Sequence, residues 1–308
     1  MRLATFNVQN MRLRRTPGAV SLDGARDRDS PLDDTGPATL LDSYDRALTA
    51  KVIAAANPDV IALQEVFDAS TLDHFHDTEL RTSGVAPYPF RYCLPGNDGR
   101  GLDVAMLCRI EPVAVTSHAG LRAGDLGLAT PQGMDPAQPI FRRDCLEVAF
   151  RGLTVFNCHF KAPYPDPVIT RTVRHFEAVA LRALIEQRFR DPATAHWIIT
   201  GDLNAPRSKA RPADSPVRPP FSVDLMARRP SGDRWTYHDP HSGRYGQPDV
   251  MLASPALASA CPDAIPEVVR TGMGHEASRH RGARLPNVGQ HRPHASDHAL
   301  LVIDLPGF

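Results

Sequence analysis

The chain has 308 residues, 42% of them hydrophobic and 23% charged, with 35 basic side chains against 35 acidic ones. This length supports a large buried core, and the zero balance excludes a protein coated in positive charge for passive nucleic-acid binding. Five cysteines, Cys93, Cys108, Cys145, Cys158 and Cys261, are odd in number, widely spread and without a CxxC pair. They exclude a disulfide framework or thiolate zinc site and read as reduced core residues.

In chain order, "MRLATFNVQN" enters a strand pattern at once, Leu3 to Val8, with no apolar core of signal-peptide type. No window approaches the roughly 18 apolar residues of a membrane span, so a cytoplasmic protein is expected; no protein partner is inferable. Residues 12–38 form a long loop. Leu40, Tyr44, Leu48 and Val52 recur every fourth position and predict a helix, stopped by Asn57 and Pro58. Strands are predicted at Val60 to Leu63, Val104 to Leu107, Leu146 to Phe150 and Leu153 to Phe160. Val173, Phe176, Ala180 and Leu184 keep a helical period to about Phe189. Trp197 to Thr200, Val250 to Leu252 and Leu300 to Leu305 complete the strands. The loops 205–235 and 262–296 are rich in Pro, Gly, Asp and Arg, and loops this long usually carry function or are disordered. No repeat or composition shift divides the chain, so residues 1–308 read as one α/β domain.

Polar residues punctuate the strand ends. Asn7 follows the first apolar run, and "DVIALQEV" ends in Gln64 and Glu65. In "NCHFKA", His159 and Lys161 share one side of a strand, as do Asp202 and Asn204 in "WIITGDLNAPRS". Asp249 heads one strand, and Asp297 and His298 precede the last. An Asp or Asn after a strand is ordinarily a turn former, and a lone His in an apolar strand is ordinarily a satisfied core residue. Their coincidence at so many strand ends argues for one pocket of carboxylates, amides and imidazoles. That inventory suits a hard divalent cation, Mg2+ or Mn2+, better than zinc.

Taken in order, "TFNVQN", "DVIALQEV", "GLDVAMLCR", "NCHFKA", "ITGDLNAPRS", "QPDVMLAS" and "SDHALLVIDL" resemble the endonuclease/exonuclease/phosphatase superfamily over residues 3–305. The resemblance implies a four-layered, DNase I-like α/β sandwich with two central mixed β-sheets and the active site at one end. It implies Glu65 as principal Mg2+ ligand, with Asn7 near the metal or its water and Asp297 as a second metal-side carboxylate. Asp202 would position or deprotonate the attacking water, and Asn204 would orient it. Asp249 would orient His298, and His159 would contact phosphate.

The loop "GNDGRGLD" departs from the family pattern by adding charge near the expected site. Asn97, Arg100 and Lys161 are candidate substrate contacts, and so is Asp103, which is also a candidate partner for His159. Residues 205–219 carry Arg207, Lys209, Arg211 and Arg218, and residues 270–294 carry Arg270, Arg279, Arg281, Arg284 and Arg292 with four histidines. Each stretch reads either as a solvated loop or as a set of groove-edge phosphate contacts. The expected function is Mg2+-dependent phosphodiester hydrolysis, with a nuclease on DNA or RNA as the first reading. The alternatives are a phosphoesterase on a small or lipid head group, such as an inositol phosphate or sphingomyelin, and a non-catalytic binding protein on the same scaffold.

Overall fold

The computed structural model of the chain describes residues 1–26, 37–204 and 215–308. The elements in order are β1 (Arg2–Met11), β2 (Leu13–Thr16), β3 (Ala19–Leu22), α1 (Pro37–Leu40), α2 (Asp42–Ala56), β4 (Val60–Val66), α3 (Ala69–Phe75), β5 (Phe90–Cys93) and β6 (Asp103–Cys108). They continue with β7 (Ala114–Ser117), β8 (Cys145–Phe150), β9 (Leu153–His159), α4 (Pro167–Arg188), β10 (Trp197–Asp202), β11 (Val223–Asp224), β12 (Tyr237–His238) and β13 (Tyr245–Gly246). The last are β14 (Asp249–Ala253), α5 (Pro255–Ala260), β15 (Glu267–Val269) and β16 (Leu300–Asp304).

Two six-stranded sheets form the centre, one in the order β15–β16–β1–β4–β6–β5 and the other β11–β14–β10–β9–β8–β7. Both are mixed. β1 and β4 run parallel, as do β9 and β10, and the flanking strands run antiparallel to them. Strand alternation divides the apolar residues between two faces. Ala4, Phe6, Val8, Ile61 and Leu63 pack under α2 and α3, whereas Leu3, Val60 and Ala62 meet Val155 and Ile198 of the opposite sheet. On the far side, Phe156, Trp197 and Ile199 pack under Phe176, Leu181 and Ile185 of α4. The result is the expected four-layered sandwich of helices, sheet, sheet and helix. Each fully buried Leu, Ile or Phe in these layers contributes about 1.5–3 kcal/mol.

Polarity rises along the inter-sheet space. The inward row on β1 reads Leu3, Thr5, Asn7; on β4 it reads Val60, Ala62, Gln64. On β9 it reads Val155, Asn157, His159, and on β10 Ile198, Thr200, Asp202. One end is hydrophobic core, the middle is buried amide and hydroxyl, and the carboxyl ends of the two parallel pairs carry titratable groups. Asn157 braces the middle. Its Nδ2 donates to the Leu63 and Ala105 carbonyls at 3.1 and 2.9 Å, and its Oδ1 accepts from Gln64 Nε2 at 2.8 Å.

The eight predicted strands and both helices are present, and the five cysteines are buried and free. One helical face differs. Leu48 and Val52 are buried, but Leu40 and Tyr44 are 71% and 55% exposed. The amino end of α2 is instead seated by charge. Arg46 is fully buried and donates to the carbonyls of Val8, Gln9, Asp23 and Gly24. Asp42 pairs with Arg26 and Arg292, and Asp45 pairs with Arg292. No described helix is long and apolar enough to cross a membrane.

Candidate active site

Register brings the titratable residues together. Asp202 at the end of β10 pairs with His159 of β9 on one side and Asp249 of β14 on the other, so the three lie abreast. Gly201 makes this approach feasible. Its φ is +118°, and a Cβ there would run into the Cys158 carbonyl. Across the inter-sheet space stands Asn7 of β1. Beside it, Glu65 occupies a bulge where the β4 register shifts between Gln64 and Val66, with φ at 67°. A left-handed conformation in a non-glycine residue is costly and marks a site where the fold enforces a side-chain direction. The bulge turns Glu65 to the same end as Asp202. His298 arrives from the third side through its bridge to Tyr237, whose ring lies 4.8 Å from the imidazole.

The polar contacts converge on Asp202 Oδ2. Asn7 Nδ2 donates to it at 3.2 Å and to Glu65 Oε1 at 3.2 Å. His159 Nε2 lies 3.6 Å from it and His298 Nε2 3.8 Å. The other Asp202 oxygen accepts the Asn204 backbone N–H at 2.8 Å, and Asn204 Nδ2 donates to the Phe160 carbonyl. His298 Nδ1 contacts Asp249 at 2.9 and 3.1 Å, and Thr236 Oγ1 donates to Asp249 at 2.5 Å. That pairing assigns Nδ1 the proton and points Nε2 into the pocket.

The electrostatics separate three roles. Burial pushes the Asp202 carboxyl up to about 6, and neighbouring Asp249 and Glu65 add to the rise while His298 opposes it. Burial also acts against a charged His298, but Asp249, Asp297 and Asp202 outweigh it and hold the ring well above the usual histidine range. His159 is driven well below that range by burial, and then by the charges of Arg143, His298, Arg100 and Lys161. One imidazole is therefore cationic and the other neutral at pH 7.

The donor set fits a hard divalent cation. Asp202 and Asp249 are buried beside Glu65, and burial, together with the acidic neighbours Asp249 and Glu65, raises the Asp202 carboxyl. Ligand atoms of Asp202, Asp249 and His298 lie within 4.8 Å of one another. Glu65 Oε1 faces this space, while Oε2 accepts the Asn10 N–H at 2.8 Å. Asn7 presents N–H to the carboxylates, because its Oδ1 accepts from the Gln9 backbone at 3.0 Å. In this orientation it positions both acids by donating to them.

The outer candidates divide. Arg100 and Lys161 lie close enough for their charges to act on His159. Arg100 is half-exposed and pairs with Asp98, while Lys161 Nζ donates to the Tyr164 carbonyl. Asn97 is used structurally, its Nδ2 stapling the carbonyls of Ala119 and Phe141. Asp103 does not partner His159, whose Nε2 faces Glu65 and Asp202 and whose Nδ1 has no hydrogen-bond partner; Asp103 bonds the Gly96 N–H, and burial raises its carboxyl to about 6. Arg207, Lys209 and Arg211 lie outside the described residues, and Arg218 pairs with Asp224.

Four contributors escaped sequence reasoning. Gln9 Oε1 accepts the Asp297 N–H, and Ser296 Oγ donates to the Asn7 carbonyl while accepting the His298 N–H. Thr236 carries no motif. Arg143 is buried, donates to the Phe160 carbonyl and pairs with Asp98. Its only sequence signal is a basic pair directly before a strand.

Comparisons with known proteins bear on the family and the fold. Residues 4–298 match the model of the Endonuclease/Exonuclease/phosphatase family. Among solved structures, an endonuclease/exonuclease/phosphatase family protein from Leptotrichia buccalis is 13% identical with a TM-score of 0.58, over 99% of each chain. A truncated TDP2 from Caenorhabditis elegans is 16% identical with a TM-score of 0.55, over 98% of this chain and 95% of its own. The mannosyl-6-phosphatase Bt3783 of Bacteroides thetaiotaomicron is 13% identical with a TM-score of 0.57, over 99% of this chain and 98% of its own. At these identities the likeness is one of fold. No curated protein sequence matches the chain.

Proposed function

The chain belongs to the Endonuclease/Exonuclease/phosphatase family, and from that premise we propose that it hydrolyses a phosphoester by direct attack of water at the Asp202 cluster, with a bound divalent cation. The observation that carries this reading is the row of His159, Asp202 and Asp249 facing Asn7 and Glu65, with His298 closing the third side. Glu65 and Asp297 would hold the metal, Mg2+ or Mn2+. When bound, it supplies charge to offset that developing on the phosphoryl oxygens.

Asp202 is the base. A carboxyl near 6 is deprotonated at pH 7 yet basic enough to take a proton from water. The Asn204 N–H on Oδ1 fixes its plane and leaves Oδ2 facing the pocket. His298, held charged by Asp249, donates from Nε2 to a phosphoryl or leaving oxygen. Neutral His159 adds a second, weaker donor with no counter-charge to neutralise. Both imidazoles act on the same centre because both Nε2 atoms lie within 4 Å of Asp202 Oδ2.

The substrate we propose first is a DNA or RNA strand. Arg12 favours it, stacking on Phe67 at 3.9 Å and donating to the backbone carbonyl of Arg100, whose charge acts on His159. A specific observation favours a second reading, a small phosphorylated ester. In the 270–294 loop, Arg270, Arg284 and Arg292 are spent on internal carbonyls and carboxylates rather than presented to a strand. The name of the mannosyl-6-phosphatase is compatible with such a substrate. The test is hydrolysis in Mg2+ of plasmid DNA, single-stranded DNA, RNA and p-nitrophenyl phosphate mono- and diesters, with Asp202→Asn as control. Loss of nearly all turnover in the variant is expected, and a tenth of wild-type rate remaining would sink the assigned base. Cleavage confined to the small esters would select the second reading.

A further inference from the structure

The loop 262–296 carries a second cluster that the hydrolytic site does not use. Glu276, His291 and His294 each offer one ligand atom, and these atoms lie within 4.8 Å of one another. His291 Nδ1 is 3.2 Å from Glu276 Oε1. The second Glu276 oxygen is shielded from solvent and has no hydrogen-bond partner. His294 is 1% exposed, and its Nε2 contacts the Ala25 carbonyl at 3.0 Å. A carbonyl only accepts, so Nε2 carries the proton and Nδ1 keeps its lone pair. A ring nitrogen pinned to a carbonyl while the other stays basic is the usual support of a metal-binding histidine.

The backbone is built to bring these three together. Glu276 N donates to the Gln290 carbonyl at 2.8 Å and His275 N to the Gly289 carbonyl at 2.9 Å, which sets residue 276 beside 291. His294 N donates to Asp45 of α2, so the third ligand is held from outside the loop. Two glycines permit the tight path. A Cβ on Gly274 would enter the Glu276 carboxylate, and one on Gly289 would enter the Arg292 carbonyl.

We propose that Glu276, His291 and His294 bind a transition-metal dication of the zinc class. Two imidazoles and one carboxylate are a zinc ligand set with a fourth position left for water, and imidazole ranks this site apart from the all-oxygen preference of Mg2+. Tetrahedral ligands about 2.0–2.2 Å from zinc stand roughly 3.4 Å apart, and the His291–Glu276 pair already has that spacing at 3.2 Å. The bound ion clamps the loop whose next residues are Ser296, Asp297 and His298, and so braces the catalytic loop without touching substrate.

The test uses the full chain, stripped with chelator and held in saturating Mg2+ so that the acidic pocket is not the zinc acceptor. Titration with Zn2+ by calorimetry, and with Co2+ by visible ligand-field absorption, is expected to give one ion per chain and a rise in Tm. His291→Ala, at a half-exposed position that tolerates truncation, is expected to weaken binding roughly 100-fold and to remove both the tetrahedral absorption and the Tm rise. Glu65→Gln is expected to leave them unchanged. No zinc binding by the wild type, or binding lost in Glu65→Gln and retained in His291→Ala, would overturn the proposal.

Discussion

Asn157→Leu tests whether the buried polar brace beneath the site holds the sheets together. The leucine matches the amide in volume but makes none of its three hydrogen bonds, to the Leu63 and Ala105 carbonyls and from Gln64 Nε2. Each is worth about 1 kcal/mol in a buried setting, so the loss is about 3 kcal/mol. A chain of 308 residues unfolds with an entropy of roughly 0.65 kcal/mol/K, so Tm should fall by about 5 °C. Differential scanning calorimetry at pH 7 reads this directly. Gln64 adjoins Glu65, so kcat should fall in the same variant, with the metal requirement shifted to higher concentration. Because a buried leucine can itself return about 1.5–3 kcal/mol, Asn157→Ala is the paired control, and a Tm within 1 °C of wild type in both variants would refute the brace.

Gly201→Ala should be severe, because φ at +118° and the Cys158 carbonyl both oppose a side chain. A Tm drop of more than about 5 °C, or failure to accumulate soluble protein, is expected, and a wild-type melting curve would contradict the packing described. Glu177 carries a pH signature, since its fully buried carboxyl accepts from the Arg142 and Lys161 backbones and burial raises it to about 7 from 4.5. The neutral form is the favoured one, so this stabilisation is complete below pH 4.5 and is lost as pH rises through 7, by about 3 kcal/mol. Melting scans from pH 5 to 8 should show a decline in wild type that is smaller in Glu177→Gln, where the buried Asp202 and Asp103 still titrate, and parallel curves would exclude the assignment.

The strands and the residues of the polar cluster at their ends were legible because each announces itself locally. Trp197 to Thr200 is an uninterrupted apolar run, and Asp202 follows it at the spacing that shares a strand face. Edge strands such as β7 and β5 were not legible. Their residues are half-exposed, so "AVTS" and "FRYC" carry neither an apolar run nor a clean alternation. The Glu65 bulge was also invisible. Period two puts neighbouring residues such as Gln64 and Glu65 on opposite faces, and the left-handed backbone at Glu65 is what turns it to the site.

The amino end of α2 shows why the long loops resisted reading. Its fourfold apolar period suggested that Leu40 and Tyr44 face the core, yet the buried face there is Asp42, Asp45 and Arg46. Periodicity detects partners that are apolar and numerous; it is blind to a charge whose counter-charge lies far away in sequence. Arg292 reaches Asp45 across 247 residues, and His294 reaches the same carboxylate through its backbone N–H. Such pairs are expensive to bury and are retained where geometry is exact enough to satisfy every donor. The two loops that meet there, residues 23–26 and 270–294, bring Ala25 to His294, and the second leads on to Asp297 and His298. Of the arginines that looked like phosphate contacts in the sequence, Arg270, Arg284 and Arg292 therefore do an earlier task. They hold in place the loop that delivers His298 to Asp202.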